Sequence, residues 1–347
     1  MKKYLIYTCC LFLLIWSCRK NKDVRSGPTP YTLNLPSNFP APVYDMSGNP
    51  LTEEGIALGR RLFYDPRLSR DSTISCGFCH QQFAAFAHFD HPLSHGIDNR
   101  TGLRSVPGLF NLIWQKDFMW DGGVNHLEVQ PLTPITDPNE MGEDLARLIT
   151  RLNGDQKYRN LFRDAFGEGE INSQKLFKAL AQFMATMNSF NSKYDSVMRG
   201  APGVQFTAEE AGGYATFQAK CASCHKEPLF TDGSFRNNGL PYNPYLHDAG
   251  RMRITNSTGD YLKFKVPSLR NVIKSPPYMH DGRYYDLFDV FLHYADSIVQ
   301  TPTIDPLVKN RIPLSAQEQR ELYFFLNTLT DPGFINSKSL SEILITD

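Results

Sequence analysis

The chain has 347 residues, enough for two domains with their own cores, and its 36 Lys and Arg against 36 Asp and Glu leave no net charge. A neutral chain carries no field that would gather a polyelectrolyte, which excludes nucleic acid as a partner on charge grounds. Of seven cysteines, Cys9, Cys10 and Cys18 crowd the N-terminus and the other four form two C-x-x-C pairs, so none is left over for a structural disulfide.

Lys2 and Lys3 begin the chain, a thirteen-residue run from Tyr4 to Trp16 is largely apolar, and Ser17 precedes Cys18. This resembles a bacterial lipoprotein signal, in which residues 1–17 are removed and Cys18 is lipidated. The run is shorter than the roughly 20 residues a membrane-spanning helix needs. The expected location is the periplasmic side of a bacterial membrane, with membrane contact through the lipid anchor alone. Residues 18–35 are expected to be the lipidated cysteine and a flexible tether, polar from Arg19 and closing on Ser26-Gly27-Pro28-Thr29-Pro30.

Thr52-Glu53-Glu54 predicts a helix start, with Ile56, Leu58, Leu62 and Phe63 for a core and Asp65-Pro66 as the stop after Tyr64. Cys76-Gly77-Phe78-Cys79-His80 follows, then a loop from Gln81 to Arg104 that carries His88, His91 and His95. Helical patterns return at about 143–152, 156–165 and 173–197. Gly200-Ala201-Pro202-Gly203 marks a boundary, which divides the chain into domains at 36–199 and 200–347. Thr207 then caps a helix through Ala219, which delivers Cys221-Ala222-Ser223-Cys224-His225, and Ser315 caps a closing helix to about Leu329. No alternating strand pattern stands out, so the fold class is mostly α, with long loops.

C-x-x-C-H is the signature of covalent c-type haem attachment. Residues three apart on a helical turn share a face, so both thiols can bond one porphyrin, and the next residue, the histidine, lies under the iron as an axial ligand. C-x-x-C alone also suits half a zinc site or a redox dithiol; the trailing histidine in both copies favours haem. Two c-type haems are therefore expected, one on Cys76, Cys79 and His80 and the other on Cys221, Cys224 and His225.

The duplication extends further. Residues 106–122 match residues 266–282 without a gap at an offset of 160, with eight of the seventeen positions identical. The chain is therefore expected to be two tandem cytochrome c-like domains, each wrapping one haem, and reading one half against the other separates the two haems. Met279 is a candidate second ligand for the second iron, but Met119 is its counterpart in the first half, which favours shared core for both. Tyr294 has Pro134 as its counterpart, a residue with no ligating atom. If Tyr294 ligates the second iron, the matching position over the first is open, which is where substrate chemistry would occur. Gln130 and Glu140 flank Pro134 in sequence. A carboxylate there can take a proton from one peroxide oxygen and return it to the departing one. Glu140 equally suits the start of the next helix, and spacing alone does not choose.

Together these stretches, with Leu58-Gly59-Arg60-Arg61-Leu62-Phe63-Tyr64-Asp65, Trp120-Asp121-Gly122 and Phe264-Lys265-Val266-Pro267-Ser268-Leu269-Arg270-Asn271, make the chain resemble the bacterial diheme cytochrome c peroxidase family, including its methylamine-utilisation branch. The resemblance covers nearly everything after residue 50. It implies that His80 and His225 are proximal ligands, that Trp120 relays electrons between the haems, and that Gln130 and Glu140 are the pocket glutamine and catalytic glutamate. The second axial position falls at Tyr294, where peroxidases of the family commonly have Met and the quinone-maturing branch has Tyr. It further implies a resting distal ligand to the first iron, with His95 the best match and His88 and His91 as competitors. A calcium ion between the domains would use the carbonyls of Ser275 and Pro277, and Ser105 where the family has asparagine. The implied activity is reduction of hydrogen peroxide to water with electrons from a small cytochrome c or cupredoxin; a homodimer is allowed. The alternatives are a tyrosine-ligated oxidase that uses high-valent haem to modify a partner protein, and a diheme electron carrier without catalysis.

Overall fold

The computed structural model describes residues 27–343. The signal segment, Cys18 and the first part of the tether lie outside the described residues. From Thr29 the backbone is fixed rather than loose: Tyr31 N–H donates to Leu51 O and Glu53 N–H to Thr29 O, both at 2.9 Å, so the last residues of the expected tether lie along the entry to the first helix.

That helix, α1 (Glu53–Phe63), starts as predicted. Thr52 Oγ1 accepts from Gly55 N at 3.0 Å, acidic residues occupy the first turn and Arg60 and Arg61 the last, each complementing the helix dipole. A short α2 (Cys76–Cys79) carries the first thiol pair, and after a long loop come α3 (Leu132–Thr136), α4 (Leu145–Gly154) and α5 (Gln156–Phe166). The single helix predicted over 173–197 is two, α6 (Ser173–Ala185) and α7 (Lys193–Met198). A distant residue explains the break. Asn111 donates to Ser189 O at 3.0 Å and accepts from Ser189 N at 2.8 Å, and so takes up backbone groups that a continuous helix would need. Ser192 and Asp195 then restart the helix with a capping box.

The second half holds α8 (Ala208–Lys220), α9 (Met252–Thr255), α10 (Leu287–Asp296), α11 (Ala316–Asn327) and α12 (Pro332–Ile335). Two strands that the sequence did not reveal, β1 (Phe235–Arg236) and β2 (Phe264–Lys265), pair antiparallel. At two residues each they are too short to show alternation.

Buried apolar side chains form two clusters. One runs from Phe39 to Met187 and takes in Phe334 and Leu340 from the C-terminal end; the other, around Phe217, Phe230 and Phe325, runs from Tyr194 to Leu329. Each rests on one close helix crossing permitted by a glycine. A Cβ on Gly59 of α1 would lie 1.9 Å from Ala179 O of α6, and a Cβ on Gly213 of α8 would lie 2.0 Å from Glu321 O of α11. The same device thus recurs in both halves.

The repeat is visible as backbone geometry. Asn111 and Asn271 are both left-handed, Met119 and Met279 likewise, and the bridges Phe118 to Val124 and Tyr278 to Tyr284 coincide at the offset of 160. The halves meet through reciprocal bonds between equivalent positions: Ser105 N–H donates to His280 O at 2.8 Å, and Lys265 N–H to Trp120 O at 2.7 Å.

Candidate haem cavity and active site

Both thiol pairs open on one connected cavity of about 1570 Å³. That exceeds the roughly 300–1,000 Å³ of an ordinary small-molecule pocket, as two large prosthetic groups require. The donor set fits haem. Cys76, Cys79, Cys221 and Cys224 are free thiols, and burial pushes Cys76, Cys79 and Cys221 up to about 12, which keeps them protonated.

His80 follows α2 directly, its N–H bonded to Cys76 O at 2.8 Å, and its Nδ1 lies 2.7 Å from Phe86 O. A carbonyl only accepts, so Nδ1 carries the proton and Nε2 keeps its lone pair for a metal. Burial lowers His80 to about 4, against the pull of the Phe86 and Pro107 carbonyls, and so holds the ring in its neutral, ligating form. His225 repeats the arrangement, with Nδ1 at 3.2 Å from Phe230 O and 3.1 Å from Pro267 O, and burial lowers it too.

Gln130, Pro134 and Glu140 line the cavity together with Cys76, Cys79 and His80. Pro134 is in α3, and Gln130 precedes it with its Nε2 3.8 Å from Met119 Sδ. Glu140 lies in the turn after α3, four residues ahead of Asp144, which caps α4 by accepting from Arg147 N at 2.8 Å. The helix-start reading of Glu140 therefore falls away. Its backbone is braced instead: Glu140 N–H reaches Asp137 O at 3.0 Å, and Glu140 O accepts from Ile97 N at 2.8 Å. Among the described residues its carboxyl makes no hydrogen bond or ion pair. Burial, and then the charge of Asp137, raise it to about 7, and its charge acts in turn on both thiols of the first pair. A carboxyl that releases its proton near neutrality is suited to take up and return one.

Tyr294, on α10, lines the cavity on the side of Cys221, Cys224 and His225. Burial raises its phenol to about 12, opposed by a hydrogen bond with Asn238. Met279 lines the cavity as well, and its thioether accepts from Asn238 Nδ2 at 3.6 Å as that of Met119 does from Gln130 Nε2 at 3.8 Å, which makes the two methionines equivalent parts of the repeat. Asn238 is a contact that sequence reasoning missed; it stands in an irregular stretch with no motif around it.

Trp120 also lines the cavity, its indole Nε1 donating to Ser105 O at 2.8 Å. Of the three loop histidines, His95 lines the cavity, while His88 is buried with an unpartnered Nδ1 and His91 pairs with Asp90. Their rings meet edge to face, with centroids 3.7 Å apart for His88 and His91 and 4.5 Å apart for His91 and His95. Ser105, Ser275 and Pro277 are on the cavity wall, but they offer only neutral oxygens. Among the described residues no group of three or more His, Cys, Asp and Glu could hold a metal ion. Calcium, which takes six to eight oxygens, carboxylates among them, gains no support from this donor set.

The family described as di-haem cytochrome c peroxidase matches residues 53–202. The methylamine utilization protein MauG of Methylophilus methylotrophus is 35% identical over 301 residues, covering 85% of this chain and 86% of its own. The cytochrome c551 peroxidase of Nitrosomonas europaea is 33% identical over 232 residues, 65% of this chain and 68% of its own. Among solved structures, a MauG-like protein associated with microbial copper homeostasis superposes with a TM-score of 0.82 at 32% identity, covering 90% of this chain and 99% of that one. The chain belongs to the di-haem cytochrome c peroxidase family, and it is an oxidoreductase acting on peroxide.

Proposed function

We propose that the protein reduces hydrogen peroxide to water at the cavity wall formed by His80, Gln130 and Glu140, drawing electrons one at a time from a small cytochrome c or cupredoxin. The carrying observation is Glu140, a half-buried carboxyl on the cavity wall without a partner among the described residues, which titrates near neutrality beside the first thiol pair. Haem held by Cys76, Cys79 and His80 would supply the redox-active iron for reduction of the O–O bond. Glu140 accepts a proton from the peroxide oxygen nearer that site and returns it to the departing oxygen, and the Gln130 amide orients the substrate. Each turnover consumes one peroxide, two electrons and two protons and yields two waters. The Pro134 side of the cavity leaves substrate a place to enter, while Tyr294 occupies the equivalent place in the second half. Electrons pass by way of Trp120. The chain works as a lipid-anchored protein on the periplasmic side of a bacterial membrane, and calcium joins the proposal only if a chelator such as EGTA depresses turnover.

Steady-state assays with peroxide and a reduced small cytochrome c test this reading, and absence of donor oxidation removes it. Tyr294 favours a second reading, an oxidase that takes its electrons from a partner protein, and the 35% identity to a methylamine utilization protein supports it. Peroxide-dependent change in a partner without donor turnover would select it. As a check on the ligand, low-temperature electron paramagnetic resonance is expected to report His–Tyr coordination at His225. Tyr294→Met is expected to replace that signal with a Met-ligated one and raise the potential by a few tenths of a volt, within the ~0.8 V range that axial ligands command. An unchanged spectrum rules Tyr294 out as a ligand.

A further inference from the structure

The first repeat reaches the second through the segment that carries Trp120, and one residue of the second repeat holds that segment at three points, one through its backbone and two through its side chain. Lys265, in β2, donates from its backbone to Trp120 O at 2.7 Å and from Nζ to Gln115 Oε1 and Asp117 O, both at 2.7 Å. Its strand partner supports the grip: Phe235, opposite Lys265 in the register, carries the Arg251 guanidinium 3.8 Å above its ring, and Arg251 donates to Asp121 O at 2.9 Å. The fit leaves no slack, since a Cβ on Gly122 would lie 2.3 Å from the Phe235 ring.

The equivalent position in the first repeat is Ser105, whose backbone makes the reciprocal bond to His280 but which has no ammonium to reach across. The first repeat reaches back instead through the neighbouring Arg104, whose guanidinium bonds Asp248 at 2.6 and 2.8 Å, while the grip of the lysine falls on the segment that carries a tryptophan. It is also costly to maintain. Lys265 is enclosed by protein along the cavity wall, and burial lowers its ammonium to about 8, against the charges of Asp117 and Asp121. A cation kept in such a place by two acceptors from the other half points to a task beyond packing.

We infer that Lys265 is the positioning residue for electron transfer between the two halves, fixing the 115–120 segment so that the Trp120 indole stays in line between the haem sites. The inference rests on the reading of Trp120 as the relay. Small displacements of a transfer partner cost large factors in rate, so loosening this segment slows transfer without touching either iron.

The test uses the full diheme protein, reduced and mixed rapidly with hydrogen peroxide, with oxidation of the second haem followed optically. Lys265→Met is expected to slow that phase about tenfold at unchanged haem content and absorption spectra, Lys265→Arg to keep most of the rate, and Gln115→Ala to slow it about threefold by removing one acceptor. Trp120→Phe is expected to slow the same phase, with Lys265→Met adding nothing in that background. If Lys265→Met and Gln115→Ala leave the rate unchanged while Trp120→Phe slows it, the positioning role is overturned and the relay stands. If Trp120→Phe has no effect, the relay reading fails, and a surviving Lys265 effect shows that the lysine acts elsewhere. Melting temperatures of all variants separate misfolding from slow transfer.

Discussion

Glu140→Gln is expected to lower peroxide turnover by roughly 100- to 10,000-fold, the range for removal of a positioned acid–base group. Both haem spectra should persist, because the side chain is not an attachment point and its backbone bonds to Ile97 and Asp137 survive the substitution. The pH dependence follows from the direction of the shift. Peroxide must lose a proton to the carboxylate, so kcat/KM should rise with pH through about 7 in the native protein and lose that limb in the variant. Stability moves the other way. The folded protein holds the Glu140 proton up to about 7, whereas the unfolded chain releases it near the ordinary carboxyl value of 4.5. Burial of Glu140 therefore costs nothing below that value and its full penalty above pH 7, on the order of 3 kcal/mol. Glu140→Gln should accordingly melt higher than the native protein at pH 8 and about equally at pH 4. Undiminished turnover would remove Glu140 from the mechanism, whatever the melting curves show.

The second large effect concerns stability. Asp195 of α7 and Arg270 form a fully buried pair, Arg270 Nη2 to Asp195 Oδ1 at 2.7 Å and Nη1 to Oδ2 at 2.8 Å. Asp195 Oδ2 also accepts from Ser192 N and Oγ, Arg270 donates from Nε and Nη2 to Pro228 O, and the guanidinium lies 4.8 Å from the centre of the Phe39 ring. Burial alone would raise the Asp195 carboxyl, but its bonds to Arg270 outweigh that and hold it below the usual range. Its contribution is thus present above pH 4 and lost as pH falls further. Asp195→Ala strands a buried guanidinium and should cost about 3–5 kcal/mol, read by urea unfolding. The repeat suggests the repair, since position 110, equivalent to 270, is Phe. The double variant Asp195→Ala with Arg270→Leu should recover much of the loss, because an apolar filling avoids the desolvation that the ion pair must offset. A double variant as unstable as the single one would mean that the pair specifies this junction in a way packing cannot replace.

Both effects show where sequence reading reached and where it stopped. Glu140 could be picked out beside Pro134 and by a family resemblance, yet two readings of it stood level on spacing, because a carboxylate in a turn and one in a first helical turn look alike in one dimension. The capping residue Asp144 and the burial of Glu140 separate them. Asp195 carried a local signal in its capping box with Ser192, but nothing near it in the chain names Arg270, which is 75 positions away. Lys265 was open to the comparison that distinguished Tyr294 from Pro134, namely a side chain with chemistry opposite one without it, but the reason for the difference is Gln115 and Asp117 across the junction.

The sequence by itself determined the two C-x-x-C-H motifs, the helix starts at Thr52, Thr207 and Ser315, the mostly helical class and the duplication at an offset of 160. All of these are written in short spacings or in self-similarity. Only the tertiary structure decided that the helix of 173–197 breaks, that Thr29 is tied to α1, that Glu140 titrates near 7, and that one lysine holds the Trp120 segment. Each of these depends on a partner far away in the chain or on how much water burial removes, and neither quantity has a trace in the order of neighbouring residues.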